Sequence, residues 1–185
     1  MKDKNRVCPL SRANHLDIGL RKLIHNPQRI LGDYVDRGMT VLDVGCGSGY
    51  FSIPMAEMVG RAGKVIAADL QEGMLEKVGS KISGNGFGNI IELHKCDENR
   101  IGISEKVDFI LAFYMVHEVP DQKIFLEEIR SVLKEDGILL IVEPKGHVSK
   151  TDFDRTVKNA IGTGFTVIRR PKVYLSRSVV LKKVS

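Results

Sequence analysis

The sequence predicts a single doubly wound α/β domain, and two of its features carry that prediction. Short runs rich in β-branched residues alternate with longer amphipathic runs along the chain. The first such run leads into three closely spaced glycines and then directly into a helix. Alternation of this kind implies a parallel sheet with helices on both faces, wound by right-handed crossovers.

Strands are expected at Thr40–Val44, 64–68, 90–94, 107–113 and 137–142. They are short, and several are apolar at every position, as strands covered on both sides must be. Helices are expected at 50–58, 71–82 and 121–133; in the last, Phe125, Ile129, Val132 and Leu133 form one face. Asp121 is placed to cap that helix, and KEDG at 134–137 to stop it. Ser149 precedes a further helical run, TDFDRTVKNAIG, with Asp152 in its first turn. The tail reads as two strands, 164–169 and 177–184, without a helix between them, which adds an antiparallel edge strand. Before the first strand, 16–25 and 27–35 read as two helical pieces, with Pro27 suited to a first turn. These define a helical prefix over residues 1–36, suited to act as a lid over the open end of the sheet, and a main domain over residues 37–185.

Length and composition fit one soluble globular domain: 185 residues, 43% hydrophobic and 28% charged. No apolar run approaches membrane-spanning length, and the basic N-terminus lacks a secretory apolar core, so a cytoplasmic protein is expected. Cys8, Cys46 and Cys96 are widely spaced and form neither a disulfide framework nor a metal-ligand pattern, so no metal is expected. The net charge is +5. The excess lies largely in the last third but is spread out, without the interleaved aromatics that stack bases. A solvated basic surface accounts for it better than a nucleic-acid partner.

The informative stretch is Val41-Leu-Asp-Val-Gly-Cys-Gly-Ser-Gly-Tyr50. Gly45, Gly47 and Gly49 allow a tight turn and close approach of a ligand to the main chain. The spacing is GxGxG, and Asp43 precedes it. A dinucleotide would place its pyrophosphate at this helix start, where a carboxylate opposes it. S-adenosylmethionine carries an ammonium and a sulfonium, and both tolerate that carboxylate. Asp69 ends the second strand, where an acid can accept both ribose hydroxyls; it also suits a helix cap. Asp97 and Glu98 follow the third strand, within reach of an adenine amino group. Acids at the carboxyl ends of successive strands match the rule for ligand placement in open α/β sheets.

With these residues the sequence resembles the class I S-adenosylmethionine-dependent methyltransferases, in particular a small-molecule branch typified by the quinone-biosynthesis enzymes. VLDVGCGSG resembles the first motif, VIAADLQEGML the second, CDE the adenine-contacting loop, FILAFYMVHEVPD the fourth-strand motif and LKEDGILLIVEP the fifth strand. The resemblance implies a Rossmann-like seven-stranded sheet with an antiparallel last strand. It also implies Gly45 and Gly47 beneath the methionine moiety, with Cys46 and Gly49 in the same loop, and Leu70 against the adenine. Asp69 would hold the ribose, Asp97 the adenine, and the Phe113 carbonyl the ammonium.

Methyl transfer is a direct displacement that needs alignment, exclusion of water and sometimes a base. The acceptor pocket is expected beyond the fourth and fifth strands, near Tyr114, His117, Glu143 and Lys145. His117 is the candidate base, since an unperturbed imidazole titrates near neutrality; packing of the loop before Pro120 is the competing role. Tyr114 can donate a hydrogen bond or shape the pocket, and Glu143 can orient substrate or simply end its strand. FYMV at the fourth-strand end lacks the Asn/Asp-Pro-Pro-aromatic signature of amino-nitrogen methylation, which favours a small organic acceptor. The competing readings are an RNA methyltransferase, and a cofactor-binding module that acts through a partner without turnover.

Overall fold

The computed structural model describes residues 24–184. The expected helix at 16–25 and Cys8 lie essentially outside that range. The described chain runs α1 (Pro27–Leu31), β1 (Thr40–Val44), α2 (Ser52–Val59), β2 (Lys64–Asp69), α3 (Glu72–Ile82) and β3 (Ile91–Lys95). It continues through β4 (Val107–Phe113), a 3-10 turn (Val116–Glu118), α4 (Gln122–Val132), β5 (Leu133–Pro144), α5 (Lys150–Gly162), β6 (Phe165–Arg169) and β7 (Ser176–Lys183). Among the described residues no helix is long and apolar enough to cross a membrane.

Seven strands form one sheet in the order β3-β2-β1-β4-β5-β7-β6. β1 to β5 pair in parallel, and β7 is antiparallel to both its neighbours. The tail departs from the sequence expectation in one respect: the antiparallel strand is not at the edge. β7 inserts between β5 and β6, which makes β6 the edge strand. The residues account for this. Ser178–Leu181 in β7 are all buried, whereas Ile168 in β6 is 52% exposed. A strand buried on both faces belongs inside a sheet, and a partly polar one suits its rim.

The period-2 alternation divides the core into two layers. Leu42, Ile66, Ile110, Leu139, Ile141, Val179 and Leu181 face α4 and α5, where Leu126, Ile129, Phe153 and Val157 meet them. Val41, Val65, Phe109, Leu111, Leu140 and Val180 face the other way, onto Leu31, Met55, Val59, Leu75 and Val78. The helix expected at 27–35 stops at Leu31 and turns, bringing Tyr34 to stack on Phe109 with ring centroids 5.9 Å apart.

Helix starts follow the caps read from sequence. Asp121 accepts from the amides of Lys123 and Ile124, and Ser149 accepts from that of Asp152. α4 then passes into β5 without a loop, so KEDG is the beginning of the strand rather than a turn before it. Strand order reverses between β1 and β4, and that crevice, beyond the carboxyl ends of the strands, is where open α/β sheets hold ligands.

Candidate active site

The glycine loop leaves β1 in a left-handed path. Gly45, Gly47 and Gly49 have φ of 69°, 54° and 81°, a region that suits glycine. Two of the three are also held by close neighbours. A Cβ on Gly45 would lie 2.9 Å from Cβ and Cγ of Met115, and one on Gly49 would lie 3.1 Å from Val78. At Gly47 a Cβ would meet nothing within 4 Å, so that main chain is open to the crevice. Gly45→Ala should therefore destabilise the fold by about 1–2 kcal/mol from backbone strain alone. It should also displace Met115 into the crevice. A lowered urea midpoint together with weaker ligand binding would confirm both effects.

Asp69 organises the loop. Its Oδ2 accepts from the Gly47 amide at 2.8 Å and its Oδ1 accepts from the Gln71 amide at 2.8 Å. The amides of Gly45 and Cys46 both donate to the Ala68 carbonyl. The Gly45, Cys46 and Gly47 amides, which could otherwise meet a phosphate, are thus already used within the protein. Each Asp69 oxygen keeps a further lone pair for a ligand hydroxyl. The two sequence-derived roles of Asp69, binding group and anchor of the turn, are compatible in this geometry. Asp43, 2% exposed, accepts the Ser52 hydroxyl at 2.6 Å and so ties β1 to the first residue of α2.

A cavity of about 300 Å³ opens over these ends. Of the expected cofactor residues, Gly45, Gly47, Asp69, Leu70, Asp97 and Glu98 line it, while Asp43, Cys46, Gly49 and Phe113 are not on its wall. Phe113 packs on Phe51 and Tyr114, with centroids 4.5 and 4.3 Å away. Burial, helped by the charges of Asp43 and Asp69, pushes the Cys46 thiol far up, so it is inert. Burial likewise raises Cys96, which also lines the cavity, to about 12.

Several lining residues escaped the sequence reading. Met74, Met115, Val119, Ile124 and Phe125 supply apolar walls. Ile124 is 53% exposed on the first turn of α4, and an exposed isoleucine there was the available signal. Glu128 lies off the apolar face of α4, a position that by pattern alone suits solvent. Its two oxygens accept from the amides of Ile101 and Gly102 at 2.9 and 2.8 Å, fixing the loop that carries Asp97 and Glu98.

The expected acceptor residues divide. Tyr114 lines the cavity and, with φ of 61°, holds a conformation rare for a bulky residue. Its hydroxyl lies 2.5 Å from Ser176 Oγ and 3.0 Å from His25 Nε2. That network joins the segment before α1 to the ends of β4 and β7. His117 and Glu143 lie beside the cavity rather than on its wall, while Glu118 is on the wall. His117 Nδ1 donates to Glu143 Oε2 at 2.5 Å, and the His117 amide donates to Oε1 at 3.2 Å. Glu143 is 1% exposed. This buried carboxylate holds the imidazole above its ordinary pKa, against the opposing effect of burial. It also fixes the tautomer, leaving Nε2 as the acceptor, 4.0 Å from Glu118 Oε1. Lys145 is not on the cavity wall and lines a separate groove. Among the described residues no cluster of His, Cys, Asp and Glu could hold a metal ion.

A methyltransferase domain family model matches residues 35–166. The chain belongs to that family. It is 30% identical, with a TM-score of 0.86, to the crystal structure of a SAM-dependent methyltransferase from Aquifex aeolicus, covering 96% of this chain and 100% of that one. It is 34% identical over 110 residues to the demethylmenaquinone methyltransferase of Lactobacillus johnsonii, covering 59% of this chain and 45% of the relative. The Lactococcus lactis protein of the same name is 32% identical over 130 residues, covering 67% and 50%. The chain thus spans about half the length of these curated relatives. S-adenosylmethionine is the cofactor that the family implies, and the crevice residues fit it: a main chain open to the cavity at Gly47, carboxylate oxygens with lone pairs to spare at Asp69 and an apolar wall at Leu70 and Met74.

Proposed function

We propose that this methyltransferase moves the methyl group of S-adenosylmethionine to a small organic acceptor, with His117 taking the acceptor's proton. The pairing of half-buried His117 with buried Glu143, beside the cofactor cavity, carries this reading. When bound, the cofactor supplies an electrophilic methyl group and a neutral thioether leaving group. The protein's part is to exclude water, align the acceptor and receive one proton at His117 Nε2. Glu143 stabilises the resulting imidazolium, as its hydrogen bond to Nδ1 strengthens when the ring becomes charged. The names of the similar demethylmenaquinone methyltransferases support a small acceptor.

Incubation with methyl-labelled S-adenosylmethionine and a panel of phenols, hydroquinones and thiols, with tRNA in parallel, tests the proposal. Label is expected in a small-molecule product. Label entering only RNA, or cofactor binding without transfer to any acceptor, would contradict it.

A further inference from the structure

Lys145, the segment 170–178 and the first turns of α5 enclose an open groove of about 730 Å³ that shares no lining residue with the cavity over the glycine loop. Its lining holds five cations, Lys145, Lys150, Arg170, Lys172 and Arg177, against one carboxylate, Asp154. Asp154 is shared between Lys150 at 2.9 Å and Arg170 at 3.5 Å. One acid cannot neutralise this wall, so the groove carries an uncompensated positive field that attracts anions.

Arg177 is the informative member. Its Nε is buried and has no hydrogen-bond partner. Buried N–H groups are nearly always satisfied, so this one marks a guanidinium that no acceptor of the protein holds at Nε. The strand register explains why the protein does not supply that acceptor. Arg177 stands directly opposite Glu143 in the β5–β7 ladder, so the two side chains leave the same face of the sheet. The Glu143 carboxylate is engaged by the ring and the amide of His117. The nearest buried acid is therefore committed to the imidazole, and the guanidinium is left for something else. Glu118, next to His117 in the chain, is on the cavity wall, and Arg177, paired with Glu143, is on the groove wall.

From this placement we infer that the groove is an anion site, separate from the cofactor cavity, that seats a carboxylate or a phosphate on Arg177 with Lys145 beside it. The planar guanidinium suits an oxyanion held by two parallel hydrogen bonds. The site is read by binding alone, without turnover.

The test follows the Arg177 side-chain Nε–H signal by nitrogen-15 NMR in the full chain, assigned by its loss in Arg177→Gln. Benzoate and inorganic phosphate are titrated separately, with sodium chloride as the screening control. One of the two oxyanions should produce a saturable shift, and chloride should not. Backbone amides lining the groove should report a dissociation constant at least tenfold higher in Arg177→Gln. Should that variant not fold, Lys145→Gln should raise the constant about threefold. Benzoate and phosphate arms distinguish a carboxylate ligand from a phosphorylated one. The inference is overturned if neither anion saturates, if chloride acts equally, or if the variants bind as tightly as the parent chain. It is also overturned if an RNA oligonucleotide binds while neither small anion does. Calorimetry with S-adenosylmethionine on the same samples separates this failure from that of the methyl-transfer reading. Cofactor binding without anion binding sinks the groove alone. Anion binding without cofactor binding sinks the methyl-transfer reading and upholds the anion site.

Discussion

Asp69→Ala is expected to weaken S-adenosylmethionine binding by about a hundredfold or more while leaving the chain folded. Hydrogen bonds to a charged carboxylate contribute about 1.5–3 kcal/mol each. Loss of both ribose hydroxyls from Asp69 therefore removes at least about 3 kcal/mol, and about 1.4 kcal/mol corresponds to tenfold. The same change releases the Gly47 and Gln71 amides, so the loop loses its anchor as well as its ligand contact. Asp69→Asn separates the two roles. An amide keeps one acceptor but turns its NH₂ toward one of the two backbone donors, so an intermediate loss is expected. Calorimetric titration checks both variants. An unchanged affinity in Asp69→Ala would remove the residue from the binding site.

His117→Ala should lower kcat by about 10²–10⁴, the usual range for a positioned base, with little change in cofactor affinity because the imidazole is not on the cavity wall. The pH profile is the sharper readout. Only the neutral imidazole can accept a proton, and Glu143 raises the His117 pKa, so activity should fall on the acid side with a midpoint above about 6.5. Glu143→Gln removes the raising hydrogen bond and charge while burial, which lowers the pKa, remains. The acid limb should move to lower pH and the plateau rate should drop. The stability sign is set by the same shift. A raised folded-state pKa contributes stability that is complete below the unfolded value and fades as pH rises through the folded one. Glu143→Gln should therefore cost more stability at pH 5.5 than at pH 8.5. A pH–rate profile identical in both proteins would leave His117 a packing residue.

What the sequence made legible was local or fixed to the carboxyl ends of strands. The glycine loop, Asp69 and Asp97 fall within a few residues of strand ends that the apolar runs mark, and the caps at Asp121 and Ser149 act within three residues of themselves. What escaped depends on pairing at long range. Arg177 meets Glu143 only through the register of β5 with β7, and no local period reports register. His25 reaches Tyr114 across 89 residues, and Glu128 reaches the 101–102 amides across the crevice rim. A surface position on a helix and a clamp on a neighbouring loop look alike in a one-dimensional pattern. The edge of the sheet was misassigned for a similar reason: chain order places β7 last, but burial places it inside.

The central claim is that the crevice between β1 and β4 binds S-adenosylmethionine through the glycine loop, Asp69 and the 97–98 turn. The most direct test is a titration of nitrogen-15-labelled protein with S-adenosylhomocysteine, followed at every backbone amide. Saturable shifts concentrated at Gly45, Gly47, Asp69, Leu70, Asp97 and Glu98, with NAD producing none, are the predicted result. No saturable shift, or shifts that leave these six amides unmoved, would contradict the account.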